Sequence, residues 1–87
     1  MYRIIFKDIA LKNLKKLPKP DQERILINIK KLAKNPDNKS NIRKLVNNDV
    51  AYRLRVGNYR VLFERYDDRI IVEIIDILHR KDSYRRK

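Results

Sequence analysis

A helical hairpin packed on a β-sheet is the fold class this sequence predicts, in one domain spanning residues 1–87. Three observations carry it. Two segments, Ala10–Leu17 and Ile25–Ala33, repeat apolar residues at helical spacing and are separated by Pro18-Lys19-Pro20. The stretch Tyr52–Phe63 instead alternates apolar and polar residues with period two. A chain of 87 residues buries only roughly 60–65% of its unfolded surface, enough for one modest core.

Tyr2 to Phe6 alternates and predicts a short first strand. Asp8 is a candidate N-cap for a helix that buries Ala10, Leu11, Leu14 and Leu17. Pro18 and Pro20 end that helix and start the next, where Asp21 and Glu23 suit the positive N-terminus. Ile25, Leu26, Ile29, Leu32 and Ala33 form the second apolar stripe, closed by Asn35-Pro36. The other face of this helix carries Arg24, Lys30, Lys31 and Lys34 and reads as a solvated face. Membrane-surface binding is the weaker reading, because the apolar stripe is needed to cover the sheet.

A polar loop, residues 36–40, leads to a short strand at Ile42–Val46 and a turn at Asn47-Asn48-Asp49. Tyr52–Val56 and Tyr59–Arg65 then form a hairpin. Gly57, the single glycine, and Asn58 fit a primed turn that needs positive φ. Asp67-Asp68 marks another turn. Arg69 to Leu78 is a long β-branched strand, apolar on both faces, as expected of a central strand covered by helices on at least one side.

The hairpin carries the most informative pattern. A two-residue turn pairs Val56 with Tyr59, Arg55 with Arg60, Leu54 with Val61 and Arg53 with Leu62. Tyr52, Leu54, Val56, Tyr59, Val61 and Phe63 share the core face, and Arg53, Arg55, Arg60 and Leu62 share its back. Arg55 and Arg60 therefore face each other. Directly opposed like charges are destabilising, and arginine cannot lose its proton to escape. Such a face is suited to holding an anion.

The whole chain agrees. It holds 23 Lys plus Arg against 11 Asp plus Glu, a net charge of +12. That points to nucleic acid or an acidic protein partner. With no cysteine and one histidine, neither a disulfide nor a Cys/His metal site is expected. No cofactor is expected. Apolar runs are far short of a membrane span and no signal-peptide pattern opens the chain, so the expected location is cytoplasmic. The basic tail, His79-Arg-Lys-Asp-Ser-Tyr-Arg-Arg-Lys87, follows the last strand, from which Arg80 and Tyr84 could fold back onto the arginine face.

Tyr52-Arg-Leu-Arg-Val-Gly-Asn-Tyr-Arg-Val61, followed after the long strand by His79-Arg80-x-x-x-Tyr84, resembles the RelE toxins of the RelE/ParE superfamily. The resemblance covers nearly the whole chain. It implies a small α+β domain, mainly an antiparallel sheet with the N-terminal helical hairpin on one face and a cleft on the other. It implies the toxin of a type II toxin–antitoxin pair, an endoribonuclease (mRNA interferase) that cuts messenger RNA in the ribosomal A site. Its implied partner is an acidic RelB-like antitoxin in a hetero-oligomer. The implied catalytic positions are Arg53, Arg55, Arg60, Arg80 and Tyr84. His79, Lys81, Arg85 and Arg86 are expected RNA contacts, with a structural role for His79 the alternative.

One departure stands out. The best-studied branch has lysines where this chain has Arg53 and Arg55, and arginine is a poor base. The proton acceptor therefore stays open; Tyr84 becomes a candidate where neighbouring arginines favour its phenolate. Glu64 and Glu73 are expected to pair with arginines rather than to act as bases. Two other functions fit the same fold: a ParE-like gyrase poison, and an inactive remnant that binds RNA or antitoxin.

Overall fold

The computed structural model describes residues 1–37, 40–46 and 49–81. Their elements follow as β1 (Arg3–Phe6), α1 (Asp8–Lys15), α2 (Lys19–Lys34), β2 (Ile42–Lys44), β3 (Ala51–Val56), β4 (Tyr59–Tyr66) and β5 (Ile71–His79). The sheet runs β1-β5-β4-β3-β2. Only β1 with β5 is parallel; the other three pairings are antiparallel. Two helices on a five-stranded, mostly antiparallel sheet make this an α+β fold.

The helices cover one face of the sheet. Ala10 and Leu14 of α1 and Ile25, Ile29 and Leu32 of α2 meet Leu54, Val56, Val61, Phe63, Val72, Ile74 and Ile77 in one core. Fully burying an aliphatic or phenyl side chain stabilises by about 1.5–3 kcal/mol, so this face supplies most of the driving force. The stripes are narrower than the sequence suggests. Leu11 and Leu26 remain 38% and 36% exposed, because they lie at the margins of stripes centred on the buried Ala10 and Leu14 of α1 and Ile25, Ile29 and Leu32 of α2. Asp8 is not the N-cap of α1. Lys7 holds that position without a side-chain cap, and Asp8 is the first helical residue, where its charge still complements the helix dipole.

The strands lie where expected with small shifts at their ends. β5 begins at Ile71 rather than Arg69, because the Arg69 and Ile70 amides close a turn onto the Tyr66 and Asp67 carbonyls. Ile70 takes φ of 57° there and is half exposed. A β-branched residue is strained in that conformation. Replacing Ile70 with Asn, which tolerates it, should stabilise the protein by about 0.5–1 kcal/mol, read as a melting temperature raised by about 3–6 °C.

β5 has apolar residues on both faces for a specific reason. Leu62 pairs with Asp76 but Phe63 pairs with Ile74, so Ile75 is an extra residue in β5. This bulge changes the phase of the strand. Val72 and Ile74 face the helices before it and Ile77 after it. Asp76 is 5% exposed, and its Oδ1 accepts from Asn13 Nδ2 of α1 at 2.7 Å and from the Ile77 amide at 2.8 Å.

A polar knot closes the end of the sheet away from the hairpin turn. Arg65 donates to Asp67 at 2.5 Å, reaches Asp37 at 2.8 Å and donates to the Pro36 carbonyl at 3.2 Å. Tyr2 donates to the same Asp67 oxygen at 2.8 Å. The bond from Arg65 above all, then that from Tyr2, holds the Asp67 carboxyl below its ordinary range. The knot ties the segment after α2, and so the approach to β2, to the β4–β5 turn. No helix among the described residues is long and apolar enough to cross a membrane.

Candidate nucleic-acid interface

The face of the sheet away from the helices is where the arginines gather. The β3–β4 register pairs Arg55 with Arg60 and Arg53 with Leu62, as the two-residue turn requires. Gly57 takes φ of +56°, the left-handed conformation that favours glycine; a Cβ there would sit 3.1 Å from Arg24 Nη1, the end of a flexible side chain that can give way. On the core side Tyr52 stacks on Phe63 at 5.5 Å and Tyr59 donates to Asp21 Oδ2 at 2.9 Å. Both tyrosines thus face the helices, one residue out of phase with the arginines.

The pairing of β2 adds a fourth guanidinium that the sequence reading missed. Arg43 lies directly opposite Arg53, on the same face. The signal was present: Ile42 packs inward, so its neighbour must point outward. Only the unknown β2–β3 register hid the pairing. Two like-charged pairs, Arg43 with Arg53 and Arg55 with Arg60, therefore stand side by side on three strands.

These four residues, with Ser40, Asn41 and Ile42, line an open groove of about 370 Å³. Arg53 and Arg60 are half-buried, while Arg43 and Arg55 are exposed. The Arg60 Nη1 donates to the Tyr59 carbonyl at 3.1 Å, and the Arg55 amide donates to the Asn41 carbonyl at 2.8 Å, which holds the loop to the groove edge. Among the described residues, no carboxylate forms an ion pair with any of the four. Glu64 instead accepts from the Tyr66 hydroxyl at 2.6 Å and lies opposite Glu73, so the expected pairing of these glutamates with arginines is not formed there. The like charges of each pair repel. An anion in the groove would set attractions to every guanidinium against that repulsion, and planar guanidiniums can grip phosphate with paired hydrogen bonds.

The first three residues of the tail sit at the hairpin tip. His79, Arg80 and Lys81 line a second recess, of about 400 Å³, with Asn58. The Arg80 amide donates to the Asn58 carbonyl at 2.7 Å. His79 pairs with Tyr59, not with Arg60, so its ring lies on the helix side, edge-on to Tyr59 at 5.4 Å. Leu78 is the residue opposite Arg60. Thus Arg53, Arg55 and Arg60 are brought together with Arg43, whereas Arg80 and Lys81 stand at the tip and His79 turns away. Tyr84, Arg85 and Arg86 lie outside the described residues.

Burial, then the bond to Asp21, pushes the Tyr59 phenol above its ordinary value near 10. A raised folded-state value gives stability that is present below pH 10 and lost as the pH rises through it. Tyr59→Phe should therefore show a shallower fall in melting temperature between pH 9 and 11 than the unsubstituted protein.

Comparison with known proteins decides the family. The family model described as the ParE toxin of the type II toxin–antitoxin system parDE matches residues 4–84. The toxin RelE3 of Methanocaldococcus jannaschii is 34% identical over 85 residues, covering 94% of each chain. The chain belongs to the RelE/ParE superfamily, as a RelE-type toxin.

Solved RelE structures share the fold. RelE in the archaeal RelE–RelB complex from Pyrococcus horikoshii superposes with a TM-score of 0.81 at 26% identity, covering 91% of this chain and 94% of that one. RelE in the RelB–RelE complex from Methanococcus jannaschii gives 0.77 at 29% identity, covering 93% and 95%. The isolated Escherichia coli RelE toxin, at 22% identity, matches in fold alone, with a TM-score of 0.79 over 91% and 84% of the two chains. As a RelE-type toxin the chain is the toxin half of a type II toxin–antitoxin system.

Proposed function

We propose that this RelE-type toxin is an endoribonuclease that cuts messenger RNA in the ribosomal A site without a metal ion. The observation that carries the reading is the groove of four arginines with no carboxylate partner among the described residues. In such a cleavage the 2′-oxygen attacks the adjacent phosphorus and gives up its proton. The bond from phosphorus to the 5′-oxygen breaks, and that oxygen takes a proton. Arg55 and Arg60 bind the scissile phosphate and stabilise the charge that grows on it. Arg53 and Arg43 support them from the neighbouring strand positions. Arg80 serves the leaving oxygen. Tyr84 stacks on a base and orients the 2′-hydroxyl, and it is the candidate proton acceptor. Lys81, Arg85 and Arg86 add contacts to the RNA backbone, whereas His79, packed against Tyr59 on the helix side, takes the structural role. With no cysteine and a single histidine, the chain lacks the donors of the usual zinc sites.

The partner we propose is an acidic RelB-like antitoxin. The Pyrococcus and Methanococcus relatives form complexes with RelB, and a net charge of +12 favours an acidic protein as well as RNA. A gyrase-directed activity is the second reading, favoured by the ParE description of the matching family model. RelE names among the relatives and the arginine groove weigh against it. A translating lysate with message ends mapped tests the proposal. New ends within ribosome-covered codons are expected. Ribosome-bound protein that leaves every message intact would overturn it, and inhibition of DNA supercoiling at stoichiometric protein would install the alternative.

The groove also predicts anion-dependent stability. Inorganic phosphate at ten times its dissociation constant should stabilise by about 1.4 kcal/mol, raising the melting temperature by about 6–10 °C. Arg55→Ala and Arg43→Ala should each reduce that gain. An equal gain in both variants would place the anion elsewhere.

A further inference from the structure

We propose that His79 is a positioning residue for Arg80, acting through the turn that begins there; the inference takes Arg80 as an anion contact from the function proposed above. The starting point is the bulge at Ile75. By shifting the phase of β5, it delivers His79 to the helix side of the sheet, opposite Tyr59. The imidazole is braced there. It meets the Tyr59 ring edge-on at 5.4 Å and 85°, and Tyr59 is itself fixed by its bond to Asp21 in the first turn of α2.

The braced ring has one free acceptor, and it is used. His79 Nδ1 accepts the Lys81 amide at 3.2 Å, which leaves the ring proton on Nε2. The spacing is that of an N-cap bonded to the second residue of a helical turn, where an amide otherwise lacks a partner. From the other side, the Arg80 amide donates to the Asn58 carbonyl at the hairpin tip at 2.7 Å. The backbone of Arg80 is thus held between two anchors, one on β5 and one on the β3–β4 turn. Because backbone dihedrals select side-chain rotamers, these anchors set where the Arg80 guanidinium can reach. They also tie it to the tip that carries Arg55 and Arg60. Serine, threonine, aspartate and asparagine are the ordinary caps. Histidine supplies the same acceptor together with a ring that packs on Tyr59.

Two substitutions separate the acceptor from the ring. His79→Asn keeps a capping acceptor and loses the ring; His79→Phe keeps a ring and loses the acceptor. In His79→Phe, hydrogen exchange at the Lys81 amide should speed up by about fivefold, the effect of losing one cap. The Arg80 Nε–H resonance should also respond to inorganic phosphate only at higher concentration. Cleavage of ribosome-bound message should fall by about fivefold in kcat with KM for ribosomes unchanged. His79→Asn should restore all three. The proposal is overturned if His79→Asn behaves like His79→Phe. It is equally overturned if the Lys81 amide loses protection while the Arg80 response to phosphate stays as in the unsubstituted protein. If the unsubstituted protein cuts no message, the proposed function falls, and the exchange and phosphate measurements decide the role of His79 by themselves.

Discussion

Arg60→Ala should lower single-turnover cleavage of ribosome-bound message by about 10²–10³-fold, the loss typical of removing one preorganised donor from a developing anion. Its melting temperature should stay level or rise. Arg60 faces Arg55 directly across the hairpin, and directly opposed like charges cost about 0.2–1 kcal/mol. Removing one relieves that cost, against the loss of one bond to the Tyr59 carbonyl and of the packed stem. A residue kept for folding would show both activity and stability falling together. Arg60→Lys is the finer probe. It keeps the charge, and so the repulsion from Arg55, but loses the planar fork, so its melting temperature should match that of the unsubstituted protein while cleavage recovers only in part. A loss of cleavage in Arg60→Ala smaller than tenfold would move the scissile phosphate away from this pair.

The hairpin was legible because its turn leaves no freedom. Two residues, one of them the chain's only glycine, set the register, and every pairing from Val56–Tyr59 to Arg53–Leu62 follows from it. The same logic fails one strand away. β2 and β3 are joined by a longer connection whose length does not fix the register, so the meeting of Arg43 with Arg53 depends on tertiary packing of Ile42. His79 shows another limit. Strict alternation from Ile74 would misplace everything after Ile75, and nothing in the apolar composition of β5 marks the bulge. Arg65 was legible in hindsight. It lies in phase with Val61 and Phe63, hence on the inward side, and an inward arginine must find carboxylates, as it does in Asp37 and Asp67. The strand order, with β1 added in parallel to β5, depends on long-range pairing that no local pattern encodes.

Phe63→Ala should be the most destabilising single substitution in the core, costing about 3–5 kcal/mol. Phe63 is the largest fully buried side chain, 1% exposed, stacked on Tyr52 and paired with Ile74 across the strand. At about 0.05–0.15 kcal/mol per residue, a chain of 87 residues has a total stability of roughly 4–13 kcal/mol. The substitution therefore removes roughly a quarter or more of it, and denaturant midpoints will show the loss directly. Its consequence for the groove follows from alternation. Phe63 and Tyr52 are the neighbours in sequence of Leu62 and Arg53, so the two rings form the inner support of strands whose outer faces carry the arginines. An anion that binds only the folded groove should return part of the lost stability, by the same increment it gives the intact protein. In Phe63→Ala combined with Arg55→Ala that return should shrink to the value seen with Arg55→Ala alone, because the core and the groove act through folding and not through each other. A phosphate gain lost already in Phe63→Ala would mean instead that the stacked rings set the spacing of the arginines as well as the stability of the sheet.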